Sequence, residues 1–343
     1  MKIAIHHTKG SFSERWIEYC EANGINYKLV NCYDSDIIQQ LSDCDALMWH
    51  FSQNSPKDFL FAKQLIFSIL VAGKKVFPDF YTAWHFDDKV GQKYLLEAIG
   101  APLAPTWIFY DKNEAFKWAD KMYFPKVFKL RGGAGSQNVR LVRSKSQANK
   151  LICKAFGRGF PLYDPMDSLK ERLRVYHLGK TNFRDILKGV ARFIVPPFYS
   201  RVKGREKRYI YFQEYIPGND HDIRIIVIGK KAFGIKRMVR EGDFRASGSG
   251  MIKYQKENFN ENTVELAFKM AEKLRSQCAA FDFVFTKDTT YVVEVSFGYI
   301  KEVYDPCNGY WDRDLKWYEG KFNPAGWMVE NLIRDLETKK TIG

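Results

Sequence analysis

Four stretches of the chain carry residue types whose spacing could do chemistry. The first is Phe124 to Val139, FPKVFKLRGGAGSQNV, an apolar strand that ends in Lys129 and enters a loop holding Gly132, Gly133, Gly135 and Ser136. Glycines let backbone N–H groups approach an anion closely, and the lysine adds a positive charge. The stretch lacks G-K-[S/T] and a strand follows it, so it is not a Walker-type loop; an ordinary glycine-rich hairpin turn is the other reading. The second is the hairpin from Phe281 to Ser296, in which Phe281, Phe283 and Phe285 face one way and Asp282 the other, while Glu294 and Ser296 share a face. A three-residue turn at Lys287, Asp288 and Thr289 places Asp282 opposite Glu294, with side chains roughly 5 Å apart. Two carboxylates so placed repel each other unless a cation sits between them. Mg2+ bound to phosphates suits such hard oxygens, and two solvated carboxylates on an exposed face are the alternative.

The third stretch, Gln213, Glu214, Tyr215 and Ile216, ends an apolar strand before a Pro217–Gly218 turn. A strand end of this kind can offer backbone groups to a flat heterocycle, or be no more than a strand end. The fourth, GIKRMVREGDFRASGSGM, sets Lys236, Arg237, Arg240 and Arg245 within ten residues of one another beside a Gly/Ser loop. Such a cluster suits a transferring phosphoryl group, and equally a solvated basic face.

The elements that must position these residues follow from hydrophobic periodicity. The first hundred residues alternate strands (KIAIHH, INYKLV, ALMWHF, KKVF) with amphipathic helices, which predicts a parallel sheet covered by helices. No glycine fingerprint follows the first strand, so a dinucleotide site there is not expected. Asp87 or Asp88 can cap a helix that Gly100 closes. Strands dominate from Tyr209 onward, interrupted by the helix ENTVELAFKMAEKL, and a helix ends the chain.

With 343 residues, 45% hydrophobic and 27% charged, the chain is neither disordered nor too short for substantial cores. Its most apolar run, Phe59 to Gly73, is broken by Lys63 and Gln64 and falls short of the roughly 20 residues of a spanning helix. The N-terminus lacks a signal-peptide core, and six scattered cysteines without a C-x-x-C pair suggest idle thiols in a reducing cytoplasm. No histidine spacing fits a metal site. Of the net charge of +14, residues 158–209 hold 13 Lys/Arg against 5 Asp/Glu, which points to an anionic partner. No aromatic-interleaved basic motif appears, so nucleic acid is not the expected principal partner.

The order of these signals resembles the ATP-grasp superfamily, and within it the glutamate ligases that modify a ribosomal protein. Lys89 at a helix start, Lys129 before the glycine loop, QEYI, D-I-R, K-R…FR, then Asp and Glu-x-Ser on a final hairpin carry the likeness from about His85 to Gly298. The resemblance implies an α/β (α+β) fold in which an N-terminal parallel domain (1–85) precedes two α+β subdomains that clamp the nucleotide, 86–210 and 211–343. It implies ATP and Mg2+ as cofactors. Lys89 and Lys129 would hold the phosphates, and Gly132, Gly133, Gly135 and Ser136 would close over them. Gln213, Glu214, Tyr215 and Ile216 would read adenine, chiefly through Glu214 and Ile216. Asp282, Glu294 and Ser296 would hold metal, and Arg224, Lys236 and Arg245 would serve the γ-phosphate and the acyl acceptor. Ser296 stands where the family usually has Asn, a shorter and weaker ligand.

The activity so implied is an ATP-dependent carboxylate–amine ligase working through an acyl phosphate, its substrates a small carboxylate and an amine. A phosphotransferase and a non-catalytic nucleotide-binding module are the alternatives. The aromatic-rich stretch YDPCNGYWDRDLKWYEGKFNP is similar to segments of ATP-grasp proteins encoded with surface-polysaccharide enzymes, which implies a sugar-bearing acid such as a uronic acid. Between Lys180 and Ile194, Phe183, Ile186, Leu187, Val190 and Ile194 share a helical face. That pattern suits a surface helix packed on its own domain, or peripheral contact at the inner face of a membrane by an otherwise cytoplasmic protein.

Overall fold

The structure is a computed structural model that describes residues 1–133, 138–177, 179, 181–240, 243–246 and 250–342. The N-terminal body alternates β1 (Ile3–His6), α1 (Phe12–Ala22), β2 (Tyr27–Val30), α2 (Ile37–Gln40), β3 (Ala46–Met48), α3 (Pro56–Val71) and β4 (Lys75–Phe77). Its strands form a parallel sheet in the order β2-β1-β3-β4, as the alternation predicts. Capping sets where the helices begin: Ser55 accepts from the N–H of Asp58 and Pro56 occupies the first turn of α3. Two helices, α4 (Phe80–Ala83) and α5 (Lys89–Ala98), lead away, the second capped by Asp88.

The middle body comprises β5 (Thr106–Phe109), α6 (Lys112–Lys121), β6 (Lys126–Lys129), β7 (Val139–Val142) and α7 (Lys145–Phe156). The basic insertion follows as β8 (Phe160–Pro161), α8 (Pro165–His177), α9 (Phe183–Ala191), α10 (Phe198–Lys203) and β9 (Arg205–Glu206), and β10 (Ile210–Glu214) returns to the sheet. The order β5-β10-β6-β7 makes β10 a central strand. A domain boundary at 210/211 would cut β10 away from its partners; the pairing moves that boundary to the turn beyond Glu214.

The last body is a larger antiparallel sheet built from β11 (His221–Ile228), β12 (Lys231–Met238), β13 (Ile252–Lys253), β14 (Cys278–Phe285), β15 (Thr290–Ser296), β16 (Gly309–Asp312) and β17 (Trp317–Glu319). Helix α11 (Glu261–Leu274) and α5 cover one face through Ile223, Ile225, Phe281, Phe283, Val292 and Leu96. The final helix, α12 (Pro324–Ile342), bridges this sheet and the N-terminal body, packing against β11 as well as α1 and β4. The opposite face changes character along its strands. Ile226, Ile228, Phe233 and Ala280 join the N-terminal core, whereas Asp222, Arg224, Arg237 and Asp282 line a cavity.

Phe297, fully buried, ties the bodies together through Phe51, Phe77 and Phe86. Among the described residues no helix is long and apolar enough to cross a membrane. Phe297→Ala is expected to cost about 3–5 kcal/mol, because a large side chain is removed where rings from two bodies meet; urea unfolding monitored by tryptophan fluorescence measures this.

Candidate active site

The cavity encloses about 940 Å3 between all three bodies, within the size range of small-molecule sites. Its charged wall is a row across four strands. Arg224 on β11 lies opposite Asp282 on β14, and Asp282 lies opposite Glu294 on β15. The Arg224 guanidinium grips Asp282 at 2.5 and 2.7 Å, and Arg237 on β12 adds a contact at 3.0 Å while binding Asp222 at 2.6 Å. Burial works against ionisation of Asp282, yet Arg224 and Arg237 hold its carboxyl well below the usual carboxylate range. Glu294 faces Lys89 at 3.1 Å.

The Asp282–Glu294 pair forms by a route the sequence did not suggest. The turn is tighter than three residues: Phe285 pairs with Thr290, and Thr286 donates its N–H to the Thr289 carbonyl. Carried straight through, that register would turn Glu294 to the opposite face from Asp282. A β-bulge between the Phe283–Val292 and Asp282–Glu294 pairs takes up Val293 and restores the shared face. The Val293 carbonyl accepts from Lys129 Nζ at 3.3 Å.

Both lysines are buried at the cavity wall. Lys89 occupies the first turn of α5, its N–H bonded to the Arg131 carbonyl and its Nζ donating to the Gly133 carbonyl at 2.7 Å. Burial lowers the pKa of Lys129 to about 8, against the pull of Glu294. Gly133 takes a φ of +121°, in the region that favours glycine, and donates its N–H to Asp87 Oδ1 at 2.7 Å. Gly132 stands beside it, where a Cβ would come within 3.2 Å of Asp87 Oδ2. Asp87 also receives Lys203 Nζ of α10 at 2.7 Å, so one carboxylate joins the glycine loop to the insertion. Gly135 and Ser136 lie outside the described residues.

The hinge residues Gln213, Glu214, Tyr215 and Ile216 all line the cavity. The Glu214 side chain is not free for a ligand: Lys126 holds both of its oxygens at 2.8 Å, and its N–H is bonded to the Pro105 carbonyl. Gln213 Nε2 donates to Thr106 Oγ1 at 3.0 Å.

Ser296 lines the cavity, but its hydroxyl closes a local turn, donating to the Gly298 carbonyl and accepting from its N–H. Arg245 also lines the cavity and pairs with Asp243 at 2.8 Å. Lys236 does not. Ile235, Arg237 and Val239 alternate toward the cavity, so strand periodicity turns Lys236 away, and Arg237 is the basic residue that β12 brings to the site. The turn at Gly229 and Lys230 carried the missed signal, because a two-residue hairpin there sets Asp222 opposite Arg237.

The N-terminal body supplies the far wall with Lys9, Ser11, His50 and Ser52. Burial pushes the pKa of His50 down to about 3, and its Nδ1 accepts the N–H of Phe12. The neutral ring therefore carries its proton on Nε2. Of the C-terminal aromatics that suggested a sugar, Tyr304 lines the cavity, whereas Tyr310, Trp311, Phe322 and Trp327 pack among themselves and the core.

Solved structures share this architecture. A RimK domain ATP-grasp protein from Sphaerobacter thermophilus superposes with a TM-score of 0.55 at 15% identity, covering 97% of this chain and 99% of that one. D-alanine–D-alanine ligase from Bacillus anthracis, complexed with ATP, gives 0.55 at 12% identity and 99% of both chains. The ATP-grasp ligase PsnB, complexed with a minimal precursor, Mg and ADP, gives 0.55 at 12% identity and 98% of both chains. The fold is the ATP-grasp fold.

In sequence, residues 199–301 match the family described as RimK-like ATP-grasp domain. The chain is also 23% identical over 283 residues to the alpha-aminoadipate–LysW ligase LysX of Saccharolobus solfataricus, covering 80% of this chain and 84% of that protein.

ATP and Mg2+ are the cofactors of this fold, and the donor set fits them. Lys89 and Lys129 supply cations for phosphates, while Asp282 and Glu294 offer hard oxygens from one sheet face. Arg224 and Arg237 occupy three of the four lone-pair sites of Asp282, leaving one on Oδ2. Among the described residues no three His, Cys, Asp or Glu side chains gather as a metal cage, so phosphate and water oxygens would complete the coordination.

Were Lys129 to meet the phosphates, nucleotide affinity would depend on pH. Phosphate favours its charged form and raises its pKa, so binding takes up a proton and affinity falls as pH rises through about 8. Isothermal titration between about pH 7 and about pH 9, in buffers of different ionisation enthalpy, is expected to show this uptake; Lys129→Arg, charged throughout, is expected to abolish it.

Proposed function

We propose that this chain is an ATP-dependent carboxylate–amine ligase. A substrate carboxylate oxygen attacks the γ-phosphorus of ATP and ADP leaves, giving an acyl phosphate. An amine nitrogen then attacks the acyl carbon, inorganic phosphate leaves, and the nitrogen loses a proton as the amide forms. The observation that carries this reading is the row Arg224–Asp282–Glu294–Lys89, set across a cavity that also contains a strand-end hinge and a second buried lysine. The ligase names of the relatives support it.

Within this reading Lys89 and Lys129 hold the phosphates in line, Asp282 and Glu294 hold magnesium, and Arg245 faces the transferring group. Magnesium would neutralise charge on the phosphate oxygens. Positioning and electrostatics carry such a reaction, since little covalent work falls to the protein. Loop closure at Gly132 and Gly133 would keep water from the acyl phosphate. In its finer form the carboxylate is sugar-bearing, such as a uronic acid destined for surface polysaccharide. Among the described residues none of the basic insertion lines the cavity, so its charge lends no support to an anionic substrate, and of the C-terminal aromatics Tyr304 alone reaches the cavity.

Purified protein supplied with Mg·ATP, a pool of small carboxylates and hydroxylamine is expected to form ADP and hydroxamate in step. ADP without hydroxamate would instead identify a phosphotransferase, and binding without either product a nucleotide-binding module. Glu294→Gln is expected to lower turnover by on the order of a hundredfold or more while leaving the unfolding transition in place. Wild-type turnover in that variant would refute the metal assignment.

A further inference from the structure

The insertion carries a surface that the ligase chemistry does not use. Helix α9 spends its inner face on α8: Ile186 is buried, and Gly189 sits where a Cβ would come within 2.8 Å of Arg172 Cδ and 3.1 Å of Leu169 Cδ1. Its outer face is apolar and uncovered. Phe183, Leu187 and Val190 are each half or more exposed, and the turn that follows adds Ile194, 86% exposed, with Val195 and then Phe198 at the start of α10. A basic stripe of Arg184, Lys188 and Arg192 lies one residue along from Phe183 and Leu187, within a segment of net charge +8. Lys180, which would extend the stripe, lies outside the described residues.

We propose that the outer face of α9 and the turn after it dock on an anionic lipid surface. Three observations select that partner. The apolar residues of this face, from Phe183 to Phe198, are exposed together, Ile194 most of all, which suits insertion between headgroups. The flanking arginines and lysines complement anionic headgroups. A second copy of the chain fits poorly, because a two-fold interface would set the basic stripe against its own image. The insertion is also seated firmly enough to act as a platform: α10 packs on α3, and the Lys203–Asp87 pair is almost fully buried.

The test is co-sedimentation of the full chain with vesicles of phosphatidylcholine alone and of phosphatidylcholine with phosphatidylglycerol. The protein is expected to partition onto the anionic vesicles and to come off as salt rises from about 0.1 M to about 1 M, where the screening length shrinks from about 10 Å to about 3 Å. Leu187→Asp combined with Ile194→Asp is expected to lower the partition coefficient by on the order of tenfold or more, because charge replaces two inserted side chains. Both positions are exposed and remote from the cavity, so this variant is expected to keep its melting temperature and its ATP affinity. No partitioning onto anionic vesicles would overturn the proposal, as would a double variant that partitions like the wild type. A wild-type dimer that the double variant dissociates would assign the face to a second copy instead.

Discussion

The ion pair between Asp282 and its two arginines is the constraint around which the large sheet is organised. A carboxylate this deeply buried is tolerable only while paired, and removing one partner from such a pair typically costs about 3–5 kcal/mol. Arg224 reaches Asp282 from the directly opposite position on the neighbouring strand, and Arg237 from one strand further, where Asp222 holds it. Each member depends on strand register. A slip of one residue in any of these pairings would send a charge into the apolar layer beneath, against Ile223, Phe281 and Phe283. The charges that make the site are therefore also what locks the sheet that carries it.

The same face explains why a cavity exists there. Toward one end of the strands it presents Ile226, Ile228 and Ala280, which the N-terminal body covers. Toward the other end it presents Asp222, Arg224 and Asp282, which no apolar surface could cover without heavy desolvation cost. The N-terminal body closes down on the apolar half, with Phe297 as the joint, and stands off the charged half. The middle body roofs that half with the hinge and Lys129. A clamp of three bodies around a polar slot follows from a hydrophobic-to-charged gradient along a few strands.

Much of this was legible in the sequence, because strand alternation and hairpin pairing are local. Period-two reading put Asp282 and Glu294 on one face, and the order of motifs pointed to the fold. The agreement at Asp282 and Glu294 nonetheless hid two compensating features, a tighter turn and a bulge at Val293. A bulge leaves no composition signal, since Val293 looks like any strand valine. Arg237 was legible from the Gly229–Lys230 turn, but the resemblance carried the role onto its neighbour Lys236. Lys126 and Asp87 were not legible: their partners, Glu214 and Lys203, lie 88 and 116 residues away, and only the folded chain brings them together.

Asp87 shows how an insertion can matter to a site it does not line. Its backbone takes a φ of +56°, a left-handed conformation that Asp tolerates better than most residues. Held so, its two oxygens point to different segments of the middle body, one to the Gly133 N–H and one to Lys203 of the insertion. Lys89, two residues on, donates to the carbonyl of that same Gly133. The glycine loop is thus pinned through both its N–H and its C=O, and one of those pins shares its carboxylate with the basic insertion. A displacement of α10 would strip Asp87 of its charge partner in a nearly dry setting, where an unpaired carboxylate is costly. Asp87 would then lean more heavily on the loop N–H or follow Lys203 away from it. Either response changes how firmly the loop is held, so the insertion and the glycine loop are mechanically coupled although Phe198, the start of α10, lies 65 residues beyond Gly133.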